Sequence, residues 1–445
     1  MLKNISKKLV FFNYFAFLLL LCIFPSFFHL TFDLSHSNSF FISLLSTLLI
    51  LFWAIKFGTN KIKPEFNMKF LVSLIIIFFV FIHGLLCGYL SNDFNYERFL
   101  LSLLYMSTLI LSAYFFYLIK NKINDNILSK VITSFCYILL GLGFVSDLGF
   151  NFSGAAGKPI FYFDEPSKFA LMFMPFFLYR FFKGNDFERL FLSGLSLKLA
   201  LDIPSLTLLI PLFFTPFIFL KLKKTIKFYL LYLCIIFFTG GSNHHGYDLQ
   251  AYVYERIPIN AFLSFSSKNS INSFTSQGGI SSPVFFKKYD GSSHSQNISA
   301  STAVFCSGWL RGILNFKFTN GLGLGFQQLG IYGLLDKYQI EFYPLSLLDG
   351  STLGAKIFNE FGLIGALLLI AYIILFIFKV RSYRKMMNCP LNSNLNNMTT
   401  FLDVVYISYF VYLFIRGGGY FDPLTYFMII SLFSTNLSLY IRAKV

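Results

Sequence analysis

Four clusters in this 445-residue chain combine charged side chains with helix-start or glycine-rich sequence, a pairing suited to chemistry on an anionic substrate. The first is Phe163-Asp164-Glu165-Pro166-Ser167-Lys168, two carboxylates and an ammonium just ahead of an apolar run. A carboxylate there can take a proton from a hydroxyl, and an ammonium can hold an oxyanion. The same residues also make an ordinary helix start, with Pro166 at the first helical position and an acidic neighbour at the positive end of the dipole. Both readings stand. The second cluster is Trp309-Leu310-Arg311 followed by Gly321-Leu322-Gly323-Leu324-Gly325-Phe326. A guanidinium binds phosphate bidentately, and closely spaced glycines let a backbone turn and present N–H groups to an anion. GLGLG lacks the GxGxxG spacing and a flanking βα unit, so a plain turn is the default for it.

The third cluster is Asp349-Gly350-Ser351-Thr352 with Lys356 and Glu360. Thr352, Lys356 and Glu360 are spaced i, i+4, i+8 and share one helix face. A Lys–Glu pair at that spacing is often only structural. Facing lipid it would be costly, so this face is expected to meet protein or water. The fourth is Arg416-Gly417-Gly418-Gly419-Tyr420-Phe421-Asp422-Pro423. Its arginine either snorkels from a helix end or holds an anion, and Gly417 and Gly418 permit close approach of a backbone or head group. His244 and His245 are adjacent, share no helix face, and read as surface residues rather than metal ligands. Lys198 and Asp202, i and i+4, are expected to neutralise each other. The triplet at Asn297 carries no weight.

The elements that must position these clusters follow from composition. Hydrophobic residues make up 56% of the chain, charged residues 13%, and Phe alone contributes 62. A soluble domain carries about twice that share of charge, and so many apolar side chains cannot be hidden inside a soluble globule of this size. The formal charge of +16 is scattered between apolar runs rather than gathered on one face, so no nucleic-acid partner is expected. A soluble enzyme, a DNA-binding domain and a disordered tail are excluded. Of six cysteines, Cys22, Cys87, Cys136 and Cys234 lie in apolar runs, Cys306 is alone in the longest polar region, and Cys389 is flanked by Lys and Arg. No disulfide framework, CxxC or Cys/His spacing can be built from them, and neither a metal nor a cofactor is expected. The first apolar run lacks a small-residue cleavage site and reads as a retained helix.

Runs of about 20 apolar residues mark membrane spans. Twelve emerge: 9–29, 39–57, 70–90, 99–119, 131–149, 168–182, 189–202, 205–220, 225–239, 351–378, 401–416 and 423–441. The interruption at 202–205 leaves room for a re-entrant hairpin over 189–220. With the N-terminus inside, 23 of the 36 Lys and Arg but only 5 of the 20 Asp and Glu fall on the cytoplasmic side. That asymmetry fixes an orientation with both termini cytoplasmic. The chain then divides into helices 1–9 over residues 1–239, a large external loop over 240–350, and helices 10–12 over 351–445. Within the loop, 263–302 holds 13 serines and is expected to be irregular, while 303–319, with Arg311 and Lys317, suits an interfacial amphipathic helix. No internal repeat is visible.

The order of these elements resembles bacterial O-antigen polymerases of the Wzy type, which share a broad architecture with O-antigen ligases. The resemblance rests on FDEPSKFA at 163–170, WLR then GLGLGF in a late external loop, STLGAKIFNEFGLIG at 351–365 and FIRGGGYF at 414–421, in a Phe-, Ile-, Lys- and Asn-rich chain. It implies an all-α polytopic protein of the bacterial inner membrane with a site facing the periplasm. It implies transfer of a growing glycan from undecaprenyl pyrophosphate onto an incoming lipid-linked repeat unit in lipopolysaccharide biosynthesis, without a cofactor. The lipid-linked oligosaccharide and the bilayer would be its partners, with chain length shared with a separate regulator. Arg311 and Arg416 would clamp pyrophosphate, stabilising charge on the leaving group, with Lys168 and Lys356 assisting. Gly321, Gly323, Gly325, Gly417 and Gly418 would supply backbone. Glu165 would be the first choice of general base and Glu360 the second.

Two departures bear on this. The family often separates an arginine from a glycine by ten residues, whereas nine separate Arg311 from Gly321 and eleven separate it from Gly323. Ligases carry a histidine shortly before the late span; SLLDGSTLGAK has none, and no histidine is close in sequence to any of the four clusters. The polymerase is favoured over the ligase on that ground. A flippase for the same lipid-linked sugar is the alternative from another class, and its expected repeats and broken helices are not legible here.

Overall fold

The computed structural model describes residues 2–57, 67–91, 94–120, 124–149, 160–161, 163, 165–203, 205–239, 300–330, 352–388 and 396–434. His244, His245, Asn297, Asp164, Asp349, Cys389 and the serine-rich stretch up to 299 lie outside them. The described residues form fourteen helices and, apart from one isolated bridge between Ile160 and Phe163, no extended pairing.

The helices are α1 (Leu2–Cys22), α2 (Phe24–Phe32), α3 (His36–Phe57), α4 (Met68–Leu90), α5 (Tyr96–Ile119), α6 (Asp125–Asp147) and α7 (Pro166–Lys183). They continue with α8 (Asp186–Asp202), α9 (Leu206–Phe219), α10 (Leu222–Thr239), α11 (Ala300–Phe318), α12 (Leu353–Asn388), α13 (Asn397–Phe414) and α14 (Pro423–Ser434). Asparagine starts five of them: the side chains of Asn67, Asn95, Asn124, Asn185 and Asn396 each accept a backbone N–H of the helix that follows. An asparagine at that position satisfies one of the donors a helix start leaves open.

Five helices are long and apolar enough to cross a membrane: α4, α5, α6, α12 and α13. A sixth span results if α1 and α2, bent by 48° at Ile23, count as one. Among the described residues, the other six apolar runs form helices that fall short of that length or hydropathy. Among them are α8 and α9, which pack side by side across the interruption at 203–205.

Packing separates an interior from an apolar exterior. α13 is buried along most of its length, consistent with a sequence apolar on every face, and touches α6, α7, α12 and α14. α4 and α12 have most of their apolar length outside the protein interior. α4 turns Leu71, Ile75, Phe78, Ile82 and Leu86 outward, a contiguous apolar face that a water-soluble protein does not leave open.

One end of the bundle collects Lys and Arg with the acids that answer them. Arg180 pairs with Glu188, Arg189 and Lys224 with Asp186, and Lys379 with Asp403, while Asp125 accepts the backbone N–H groups of Asn397 and Met398 at the start of α13. The described residues of the four clusters, at the starts of α7 and α12 and just beyond the ends of α11 and α13, lie at the opposite end.

α11 forms over the segment expected to be an interfacial helix, but its polarity is turned. Arg311 sits on the buried face with Cys306, Gly308, Gly312 and Asn315, and Ile313, Leu314 and Phe318 are exposed. The reason is an amide contact with α12: Asn315 Nδ2 donates to Asn359 Oδ1 at 2.6 Å, and Asn359 Nδ2 donates to the Gly308 carbonyl at 3.0 Å. Once these polar groups are paired between helices, the arginine one turn earlier on the same face of α11 is carried inward.

Candidate active site

α12 is the spine of the site. Thr352 caps it, its Oγ1 accepting the Ala355 N–H at 3.1 Å. One turn on, Lys356 is 4% exposed, and one turn further Glu360 is wholly buried. The i, i+4, i+8 face therefore meets protein, as the cost of a charge in lipid requires.

Just beyond Glu360 the helix breaks. Gly362 has φ 53° and ψ −124°, a conformation open chiefly to glycine, and the segment 321–325 supplies the hydrogen bonds the break removes. The N–H groups of Leu324 and Gly325 donate to the Asn359 and Glu360 carbonyls at 3.0 and 2.9 Å, and Leu363 N–H donates to the Gly321 carbonyl at 2.8 Å. A Cβ on Gly323 would lie 2.5 Å from the Glu360 carbonyl oxygen, so the two backbones touch.

The glycine-rich segment spends its own backbone donors within the chain. The N–H groups of 321, 322 and 323 are spent on the Phe316 carbonyl, the Thr319 carbonyl and Thr319 Oγ1. With 324 and 325 given to α12, none of the five remains for an anion. Gly321, Gly323 and Gly325 hold this backbone against α12.

Beyond the glycines, Gln328 exchanges hydrogen bonds with Asn95 at the start of α5, its Oε1 accepting the Asn95 N–H at 2.9 Å and its Nε2 donating to the Asn95 carbonyl at 3.1 Å. Its neighbour Gln327, with φ 60°, offers Oε1 to two cations: Lys356 Nζ at 3.3 Å and Arg98 Nη2 at 3.4 Å. Lys356 also lies 5.3 Å from the centre of the Tyr420 ring.

The fourth cluster closes over this spine. Gly417 lies against the start of α12, where a Cβ would sit 2.7 Å from the Leu353 nitrogen and 2.4 Å from the Tyr412 carbonyl oxygen. Gly418 is looser, its nearest neighbour the Tyr412 hydroxyl at 3.2 Å. Arg416 reaches away from α12 to α7, its Nη2 donating to Glu165 Oε2 at 2.8 Å. Glu165 is 45% exposed and Arg416 30%, so the pair borders solvent. Burial opposes ionisation of Glu165, but Arg416, the Ser167 hydroxyl and Lys168 outweigh it and hold the carboxyl below its ordinary value. Nearby, burial pushes Asp422 up to about 6, against the Leu424 N–H and Lys168.

No protein-family model, curated protein or solved structure matches this chain. The site therefore rests on its own geometry. Two groups emerge: Glu165 and Arg416, with Lys168 acting on Glu165, at the border with solvent, and Lys356 with Glu360 buried along α12; Arg311 is buried on α11. Glu360 is enclosed by protein, so of the two carboxylates only Glu165 reaches solvent.

Three residues enter that sequence spacing did not single out. Arg98 is a lone basic residue 258 positions from Lys356. His36 Nε2 lies 2.9 Å from Lys168 Nζ, and its ring stands 3.7 Å from that of His29. His83 Nε2 lies 3.0 Å from the Leu322 carbonyl. Histidines far from the clusters in sequence thus reach two of them in space, which removes part of the ground for preferring a polymerase over a ligase. An apolar cleft bordered by Tyr14, Phe17, Leu128, Met398 and Phe401 lies toward the other end of the bundle.

Proposed function

We propose that this chain is a Wzy-type O-antigen polymerase of the bacterial inner membrane. In this reading it has about twelve spans, both termini in the cytoplasm and its site facing the periplasm. The observation that carries the reading is the Glu165–Arg416 pair, an open carboxylate and guanidinium flanked by Lys168, at the end of the bundle opposite the cluster of paired lysines and arginines. That opposition agrees with the charge asymmetry that assigns the basic end to the cytoplasm.

The chemistry follows from this pair. A hydroxyl of the incoming lipid-linked unit attacks the anomeric carbon of the growing glycan, and the bond from that carbon to the pyrophosphate oxygen breaks. The hydroxyl proton passes to Glu165, and the electron pair of the broken bond leaves on pyrophosphate. Arg416 and Lys168 stabilise that developing charge. Arg416 has two partners to choose between: with pyrophosphate in place the guanidinium turns to phosphate, and the carboxylate it released becomes a stronger base. Lys356 and Arg311 add positive potential from behind, and Glu360 positions Lys356.

A ligase, joining a finished glycan to another lipid, is the second reading, and the contact of His36 with Lys168 favours it. A flippase is less well supported. α12 is broken, as transporter helices are, but its freed groups are taken by the 321–325 backbone rather than left to hold a passenger.

Deletion of the gene decides among them. Loss of a polymerase leaves lipopolysaccharide capped with a single repeat unit. Loss of a ligase leaves polymer on the lipid carrier, and loss of a flippase removes both. Long chains of normal length in the deletion strain refute the proposal.

A further inference from the structure

Arg98 enters α5 in its first turn and is half-buried, and its guanidinium and the buried Lys356 ammonium converge on one neutral acceptor, Gln327 Oε1. Both donors carry a full charge and share one neutral oxygen at 3.3 and 3.4 Å, whereas hydrogen bonds from charged donors are shorter and favour charged acceptors. The negative group at hand is Glu360, whose field reaches both cations. Its carboxylate is wholly buried and neither oxygen meets a hydrogen-bond partner at proper geometry, although the Gln327 N–H and the Tyr420 hydroxyl are its nearest dipoles. The Tyr420 hydroxyl is likewise buried without a partner. Two cations against one carboxylate leave this pocket positive among the described residues, with polar groups still to be answered. Its backbone is fixed from three sides, by Asn95 with Gln328, by α12 and by the 415–422 turn.

We infer that Arg98 is a further phosphate-binding residue of this site, and that Gln327 is a positioning residue that sets its guanidinium beside Lys356 so that both can face one phosphate group. The inference rests on the reading of the chain as an enzyme of lipid-linked pyrophosphates. The ligand chemistry is a phosphate oxyanion, which a lipid pyrophosphate or free pyrophosphate can supply. A fork of N–H donors beside a point charge suits the oxygens of one phosphate, which a lone ammonium cannot grip in a fixed orientation.

The full chain reconstituted in nanodiscs gives the test, with binding of undecaprenyl pyrophosphate and of inorganic pyrophosphate measured in parallel and thermal unfolding recorded for every variant. Arg98→Gln is expected to weaken undecaprenyl pyrophosphate binding at least tenfold, and Arg98→Lys to recover part of the loss. Gln327→Glu is the sharper variant. Its new carboxylate occupies the place of the phosphate between the two cations, so unfolding moves to the same or a higher temperature while binding falls at least tenfold. A purely structural role would move stability and binding together. Inorganic pyrophosphate binding as tightly as the lipid would mark a site for the anion alone, and weaker binding a site that also reads the lipid; both outcomes require the Arg98 dependence. If the wild type binds undecaprenyl pyrophosphate and both Arg98→Gln and Gln327→Glu bind it equally well, the inference falls and the enzyme reading stands. If the wild type binds neither probe, both fall.

Discussion

Alanine at Gly323 should be far more damaging than alanine at Gly321, although the two sit in one motif with nearly the same backbone. Both have positive φ, 88° and 83°, so each substitution costs about 1–2 kcal/mol for placing an L-residue in the left-handed region. At Gly321 nothing more is added, since the nearest atoms to a new Cβ are the edge of the Phe316 ring at 3.4 Å. At Gly323 the Cβ would stand 2.5 Å from the Glu360 carbonyl oxygen and 2.6 Å from the Gly362 nitrogen, both backbone atoms that cannot rotate away. The segment must lift off α12, breaking the three bonds that bridge the break at Gly362. At about 1 kcal/mol each, these bring the expected loss for Gly323→Ala to roughly 4–5 kcal/mol. Gly325→Ala should fall between, because its closest neighbour, the Phe94 ring edge at 2.8 Å, can turn, while the Cys87 Cβ at 3.1 Å is fixed to its helix. Unfolding by SDS from mixed micelles, followed by tyrosine fluorescence, measures the series. A Gly323→Ala variant no less stable than Gly321→Ala would refute the interlock.

Three further predictions test the two ends of the bundle. Glu165→Gln and Arg416→Gln should each abolish long-chain lipopolysaccharide on gels while costing under about 1 kcal/mol of stability, because their ion pair is partly exposed; wild-type banding in both contradicts their proposed roles. Lys379→Met should destabilise the protein by about 3–5 kcal/mol by leaving Asp403 unpaired beside Tyr383, and Lys379→Met with Asp403→Leu should restore most of it; a double variant no better than the single one argues against that pairing. Asp422 titrates near 6 in the folded protein, above its ordinary value, so the folded state holds the extra proton and its contribution to stability falls as pH rises from about 4 to about 6. Asp422→Asn keeps an acceptor for the Leu424 N–H, should remove that slope and should gain roughly 1–3 kcal/mol at pH 7; an unchanged pH profile would be the contrary result.

What the sequence could and could not reveal divides by distance along the chain. The common face of Thr352, Lys356 and Glu360 follows from helical spacing alone, and the burial of all three bears it out. The Lys198–Asp202 pair was visible in the same way and forms. Glu165 and Arg416 could each be suspected from local sequence, but nothing in either stretch says that they meet, 251 residues apart. Arg98 and His36 were missed because a single basic residue near a helix start carries no pattern of its own; only their neighbours in space give them meaning. The break at Gly362 was hidden for another reason. Glycines are common in apolar helices, and FNEFGLIG scores as one uninterrupted run until the 321–325 segment is laid against it.

That break also constrains how the protein comes to exist. Inside a bilayer an open helix leaves carbonyl and N–H groups with no water to answer them, at several kcal/mol apiece. Taken by itself, then, α12 enters the membrane most cheaply as a continuous helix, with Asn359, Glu360 and Leu363 bonded to their own neighbours. It opens at Gly362 where 321–325 lies against it and takes up the freed groups. The kinked form thus belongs to the packed protein rather than to the isolated helix, and the surroundings of Lys356 depend, through Gln327, on that contact.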